Sequence, residues 1–148
     1  MLKRAIETLW LRFTLKSVRR PAAWVGRQLF NHLGYNTPNG AASQRFTDGV
    51  YYLLSVTDWK RVAKNSWVRH MKWAEERFDC DDFALVFMSW CRLALRVNGV
   101  GLMINAEHVF NIIVTYDGQV LGLEPQTGEL VPLTPTGRYG RSGAVVLF

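Results

Sequence analysis

The run from Phe83 to Leu95 constrains this chain most. Phe83, Ala84, Leu85, Val86, Phe87, Met88, Trp90, Cys91, Leu93, Ala94 and Leu95 leave only Ser89 and Arg92 polar within it. Such a run reads as a helix that is apolar nearly all round, and a helix of that kind is the buried centre of a small domain. Asn98-Gly99 ends it. At its start Asp79 can act as N-cap, and Asp82, three residues on, completes a pattern like a capping box. Cys80 then falls in the first helical turn. The unpaired N–H groups there favour a thiolate, whereas the carboxylates of Asp79, Asp81 and Asp82 oppose it. A nucleophilic role therefore requires a cationic partner, of which an imidazolium is the natural one. Burial in the core is the ordinary fate of a free cysteine. Cys91, within the apolar run, fits that fate; Cys80, flanked by acids, does not.

A chain of 148 residues is most simply one domain with a substantial core. Its net charge of +6 is unevenly placed. Lys3, Arg4, Arg12, Lys16, Arg19, Arg20 and Arg27, opposed only by Glu7, account for the whole excess, and from residue 28 onward the charges cancel. Positive charge this local, without a recognisable motif, argues against a nucleic-acid partner. Cys80 and Cys91 are the only cysteines, and eleven residues of helix would hold them about 16 Å apart, beyond disulfide reach. That spacing fits a reducing compartment and offers no zinc pattern. No apolar run approaches the roughly 20 residues of a membrane span. Glu7 and Arg12 interrupt any secretory apolar region, so the expected location is intracellular, with membrane or virion association through the basic N-terminus as the variant.

Leu2, Ile6, Leu9 and Phe13, with Trp10 alongside, form an amphipathic helical pattern opposite a basic polar face. Such a helix can pack on its own domain, lie on a membrane or anionic partner, or act as a mitochondrial-type leader. Pro21 can open a second helix that runs to about Leu33 and stops at Gly34. The segment 34–44 reads as a loop, which divides a basic helical arm (1–34) from a main domain (45–148). Arg45 to Trp73 reads as largely helical, with Asp58 as a cap, and Trp67 and Trp73 either wall a cleft before Cys80 or belong to the core. His70 reads as a surface residue, and His32, near the end of its helix, suits the helix dipole without a catalytic role. Beyond Gly99 the pattern turns to strands at 101–105, 109–116, 119–123 and 144–148, with Asp117-Gly118 as a hairpin turn and 137–143 as a glycine-rich loop. A helical half followed by an antiparallel sheet is an α+β domain.

In a thiol hydrolase a histidine takes the cysteine's proton and a third polar group orients the imidazole. His108 at a strand start and Glu124 on the partner strand are the candidates, with Asp82, Asn111, Gln126 and Trp73 as supporting or alternative members. Hairpin register decides between them. A two-residue Asp117-Gly118 loop would pair Asn111 with Glu124 and turn both from the His108 face. A three-residue loop, or a bulge at Gly122, would return Glu124 to that face. The N–H of Cys80 would supply one oxyanion donor, and Gln44, Asn65 and Trp73 are candidates for the second.

Asp79-Cys80-Asp81-Asp82-Phe83-Ala84, His108-Val109-Phe110-Asn111 and Glu124-Pro125-Gln126-Thr127, in that order, resemble the nucleophile, histidine and acid motifs of the transglutaminase-like branch of the papain-like thiol superfamily. The resemblance covers about residues 67 to 130. It implies a papain/transglutaminase-like fold of bacterial or bacteriophage type, with the nucleophile at the start of a buried central helix packed on a C-terminal antiparallel sheet. Cys80 would be the nucleophile, His108 the general base and Glu124 the orienting acid of a cysteine hydrolase or acyltransferase. The substrate would be an amide of a protein, peptide or peptidoglycan, cleaved through a thioester, with no cofactor or metal. The alternative is a non-catalytic binding module that engages a partner or membrane through its basic arm.

Overall fold

A computed structural model describes residues 2–35 and 37–148, the side chains of residues 2–4 excepted. Leu2 of the expected apolar stripe, the basic Lys3 and Arg4, and Asn36 of the expected loop thus lie outside the described side chains. Helix α1 (Leu2–Thr14) leads to strand β1 (Val18–Pro21) and helix α2 (Ala22–Leu33). Pro21 stands at the N-cap of α2, and Gly34, in the left-handed conformation, closes it with its N–H on the Phe30 carbonyl. Then follow β2 (Ser43–Arg45), β3 (Val50–Leu53) and α3 (Val56–Asn65). The α3 cap is Ser55, whose hydroxyl accepts from the Asp58 N–H, so Asp58 lies inside the helix and not at its cap.

The central helix α4 (Cys80–Trp90) begins at an Asp79 N-cap, and the Asp79 N–H donates to the Asp82 carboxylate at 3.3 Å. At Cys91 the helix widens into a π turn (Cys91–Leu95) closed by Arg96 in the left-handed region. The sheet strands β4 (Val100–Ile104), β5 (Val109–Val114), β6 (Val120–Glu124), β7 (Glu129–Val131) and β8 (Val145–Leu147) complete the chain.

Six strands form one sheet in the order β2-β8-β4-β5-β6-β7, and β1 pairs with β3 in a separate two-stranded ribbon. Strand β2 runs parallel to β8, and the other neighbours in the large sheet are antiparallel. This corrects the expected architecture of a helical half packed on a C-terminal antiparallel sheet. Three strands come from the N-terminal half, and one of them enters the main sheet in parallel. The segment Arg45–Trp73, expected to be largely helical, holds part of that strand content because Tyr51 and Leu53 are buried on either side of exposed Tyr52, the alternation of a half-buried strand.

The sheet separates two apolar layers. On one side Ile113, Leu123 and Val100 pack with Phe83, Phe87, Trp90 and Cys91 of the α4 region and with Trp59 and Val62 of α3. On the other, Phe110, Ile112, Val114 and Val120 pack with Val25, Leu29 and Leu33 of α2. Strand alternation explains this division, because neighbouring residues of β5 point to opposite faces. Asn111 fastens α4 to the sheet: its amide donates to the carbonyls of Ala84 at 2.9 Å and Gly101 at 3.1 Å. Among the described residues no helix is long and apolar enough to cross a membrane.

Candidate functional site

The β5–β6 hairpin turns through Tyr116-Asp117-Gly118, because Thr115 and Gln119 still bond across it. Gly118 supplies the positive φ of 93° that this turn needs. With three turn residues, Asn111 pairs with Leu123 and Glu124 falls on the face that His108 shares. The register thus brings these two side chains together. His108 Nε2 and Glu124 Oε2 are 2.7 Å apart, and both side chains are only 3% exposed.

Glu124 is the hub of this corner. Its Oε2 also accepts from the Tyr139 hydroxyl at 3.2 Å and from Arg138 Nη2 at 3.3 Å, while Oε1 accepts from the Gln126 N–H at 3.3 Å. Burial pushes the Glu124 carboxyl up, but hydrogen bonding and charge from His108, the Gln126 N–H and Arg138 outweigh it, so its pKa lies below the ordinary glutamate value. The imidazole stacks on Phe110 at 5.8 Å between ring centroids and meets Tyr139 edge-on at 5.9 Å.

Asn105 builds the mouth of the corner. Its Oδ1 accepts from the N–H groups of Glu107 and His108, which fixes the entry to β5 as an Asx turn. Its amide donates to the carbonyls of Arg138 at 3.1 Å and Gly140 at 2.9 Å, which holds the glycine-rich loop against the same strand. Between them lies a cavity of about 150 Å³, lined by Asn105, Ala106, Glu107, Thr136, Gly137, Gly140 and Ser142. Asn105, Arg138 and Tyr139 escaped sequence reasoning. Their one local signal is Asn105 two residues before Glu107, an Asx-turn spacing; Arg138 and Tyr139 reach Glu124 only through the folding of the 137–143 loop.

Cys80 occupies the tip of α4, half-buried, and sits among acids. One oxygen of Asp79, one of Asp81 and the Cys80 Sγ all lie within 4.8 Å of one another. Hydrogen bonding between the two carboxyls raises the Asp79 pKa and lowers that of Asp81. Among the described residues no hydrogen bond joins the thiol to His108, whose ring bonds to Glu124 and stacks on Phe110, a residue of the layer turned away from α4. Asp82 serves the N-cap. Asn111 is fully buried and its amide is spent on two backbone carbonyls, while Gln126 meets Glu124 through its backbone N–H. Of the expected oxyanion donors, Trp73 is exposed, Asn65 bonds the Arg61 carbonyl at the end of α3, and Gln44 lies in β2.

The chain matches no family model and no curated protein. Its fold is similar to that of two solved chains. One, described as a PSL1a-E64 complex, has a TM-score of 0.64 and 25% sequence identity. The other is the Polyporus squamosus lectin bound to the epitope Neu5Acα2-6Galβ1-4GlcNAc, with a TM-score of 0.62 and 24% identity. Each match covers 88% of this chain but only 51% and 49% of those chains, so the similarity spans about half of their length. These neighbours correct the expected kinship with transglutaminase-like and papain-like thiol enzymes, and with it the expected cysteine hydrolase or acyltransferase working through a Cys80 thioester. What the comparisons support is an α+β fold shared with these two chains, one of which is described as a lectin.

Proposed function

We propose that this chain is a non-catalytic binding module whose site is the His108–Glu124 corner, and that its ligand is a carbohydrate. The buried, hydrogen-bonded corner carries the reading. A histidine and a glutamate sealed at 3% exposure, with Arg138 exposed at their mouth, form a pre-organised polar anchor beside a small cavity. The cavity's lining suits a polyol. Asn105, Glu107, Thr136 and Ser142 offer amide, carboxylate and hydroxyl groups, and Tyr139, outside that lining, ties the neighbouring loop to Glu124 through its hydroxyl. The lectin among the structural neighbours gives the sugar class its support. In this reading His108, Glu124 and Arg138 are binding residues. Cys80 takes no part in bond cleavage, in keeping with the acids around its sulfur.

Calorimetric titration with Neu5Acα2-6Galβ1-4GlcNAc and with Galβ1-4GlcNAc tests the ligand class. Saturable binding of either sugar, weakened about tenfold or more by Arg138→Ala, is expected. Absence of saturable binding to both would remove the carbohydrate reading. Alkylation by iodoacetamide from about pH 5 to about pH 9 tests the non-catalytic role, with Cys91 as an internal control because burial holds its thiol well above its ordinary pKa. Cys80 should label at the same rate in the wild type and in His108→Ala at every pH. Rapid labelling near pH 6 that disappears in the histidine variant would reveal a thiolate–imidazolium pair and overturn the reading.

A further inference from the structure

Helix α1 is mounted with its apolar stripe outward. Ile6, Leu9, Trp10 and Phe13 follow helical spacing, and they are 57%, 51%, 57% and 82% exposed. Opposite the stripe, buried Leu11 and the partly buried Leu15 just past the helix end hold α1 on the α4 layer. Leu93, on the π turn that α1 packs against, is 77% exposed as well. Four large side chains at i, i+3, i+4 and i+7 facing solvent form a contiguous apolar surface, and such a surface marks an interaction site.

Charge complementarity identifies what covers it. The whole net charge of +6 resides in residues 1 to 27, and Arg12, Lys16 and Arg19 of this segment are exposed. Where α1 ends, an open cavity of about 560 Å³ is lined by Ser17, Asp48, Tyr52, Arg92, Arg96, Val97 and Asn98. Arg92 is paired there with Asp48 at 2.6 Å, whereas Arg96 has no ion-pair partner among the described residues. A second copy of this chain seated on the stripe would set these cations against their equivalents, which like-charge repulsion opposes. Four side chains also fall short of the roughly 1,200 Å² that a stable dimer buries. An anionic surface meets both features at once: the stripe enters the apolar boundary and the cations stay among acidic headgroups. We infer that α1 docks this protein in the plane of an acidic lipid surface, through Ile6, Leu9, Trp10 and Phe13 with Arg12, Lys16 and Arg19 beside them.

Co-sedimentation of the full chain with vesicles of phosphatidylcholine, alone or with about 30% phosphatidylserine, is the test. Binding should require phosphatidylserine and fall at least tenfold when salt rises from about 0.05 M to about 0.5 M. The double variant Leu9→Ser/Phe13→Ser should abolish binding, and Lys16→Glu should weaken it about fivefold or more. Because all three positions are exposed, far-UV circular dichroism and the thermal midpoint should stay unchanged. Equal binding to neutral vesicles, or no binding to either kind, would overturn the inference. So would a wild-type dimer in sedimentation equilibrium that Leu9→Ser/Phe13→Ser converts to monomer without affecting vesicles.

Discussion

The Glu124 carboxyl lies below its ordinary pKa although burial pushes it up, and its partners make that possible. His108, Tyr139, Arg138 and the Gln126 N–H together surround both oxygens. A carboxyl whose folded pKa lies below its ordinary value of 4.5 binds fewer protons folded than unfolded. It therefore contributes stability above the unfolded value, and that contribution is lost as pH falls through the folded one. Glu124→Gln should flatten the acid limb of the stability profile below about pH 4.5, measured by urea denaturation across pH. At neutral pH the same variant should cost about 2–4 kcal/mol, because it weakens the four hydrogen bonds that the buried carboxylate accepts. An unchanged acid limb would show that Glu124 titrates alike in both states. His108 and Glu124 were both visible in the sequence as a strand histidine and a partner-strand acid. Asn105, Arg138 and Tyr139 were not, since their claim on the corner depends on a loop closing over it.

At the level of elements, turn length decides which side chains meet. Strand side chains alternate, so a two-residue Asp117-Gly118 turn that paired Tyr116 with Gln119 would have moved a whole strand face and set Asn111 opposite Glu124. Deleting Tyr116 would leave the two-residue Asp-Gly turn that hairpins favour between Thr115 and Gln119, which already bond. Asn111 would then stay opposite Leu123, and Glu124 would stay on the His108 face. That variant should keep the wild-type imidazole resonances and a thermal midpoint close to that of the wild type. Loss of several kcal/mol of stability with shifted imidazole resonances would show that the three-residue turn, and not strand pairing, sets the register. The nearly all-apolar run identified α4 without help, because its length and caps are local properties. The change to a π turn at Cys91 has no comparable local mark, and neither does the strand character of Ser43–Arg45, which comes from pairing with residues a hundred positions away.

Over the whole molecule, the sheet works as a shared wall between two apolar layers, and its closure depends on tight backbone approach. A Cβ at Gly101 would stand 2.3 Å from the Leu147 carbonyl oxygen and 2.5 Å from the Phe148 ring, closer than any real contact. Gly101→Ala should therefore part β4 from β8 and cost about 1–3 kcal/mol, lowering the thermal midpoint by roughly 2–4 °C per kcal/mol. A midpoint within error of wild type would mean that the sheet shifts to accept the methyl group.

The sequence alone determined the local features: the central apolar helix and its Asp79 cap, the Gly34 stop, the Asp117-Gly118 turn, and the concentration of positive charge before residue 28. Each rests on spacing or conformational preference within a few residues. The tertiary structure decided the rest. It set the hairpin register that joins His108 to Glu124, placed β2 beside β8, closed the 137–143 loop over the corner, and turned the apolar stripe of α1 toward solvent. Those outcomes depend on pairings and burial between distant segments. A stripe in sequence states that a face is apolar; only the packing of Leu11 and Leu15 against the α4 layer decides that this face is left outside.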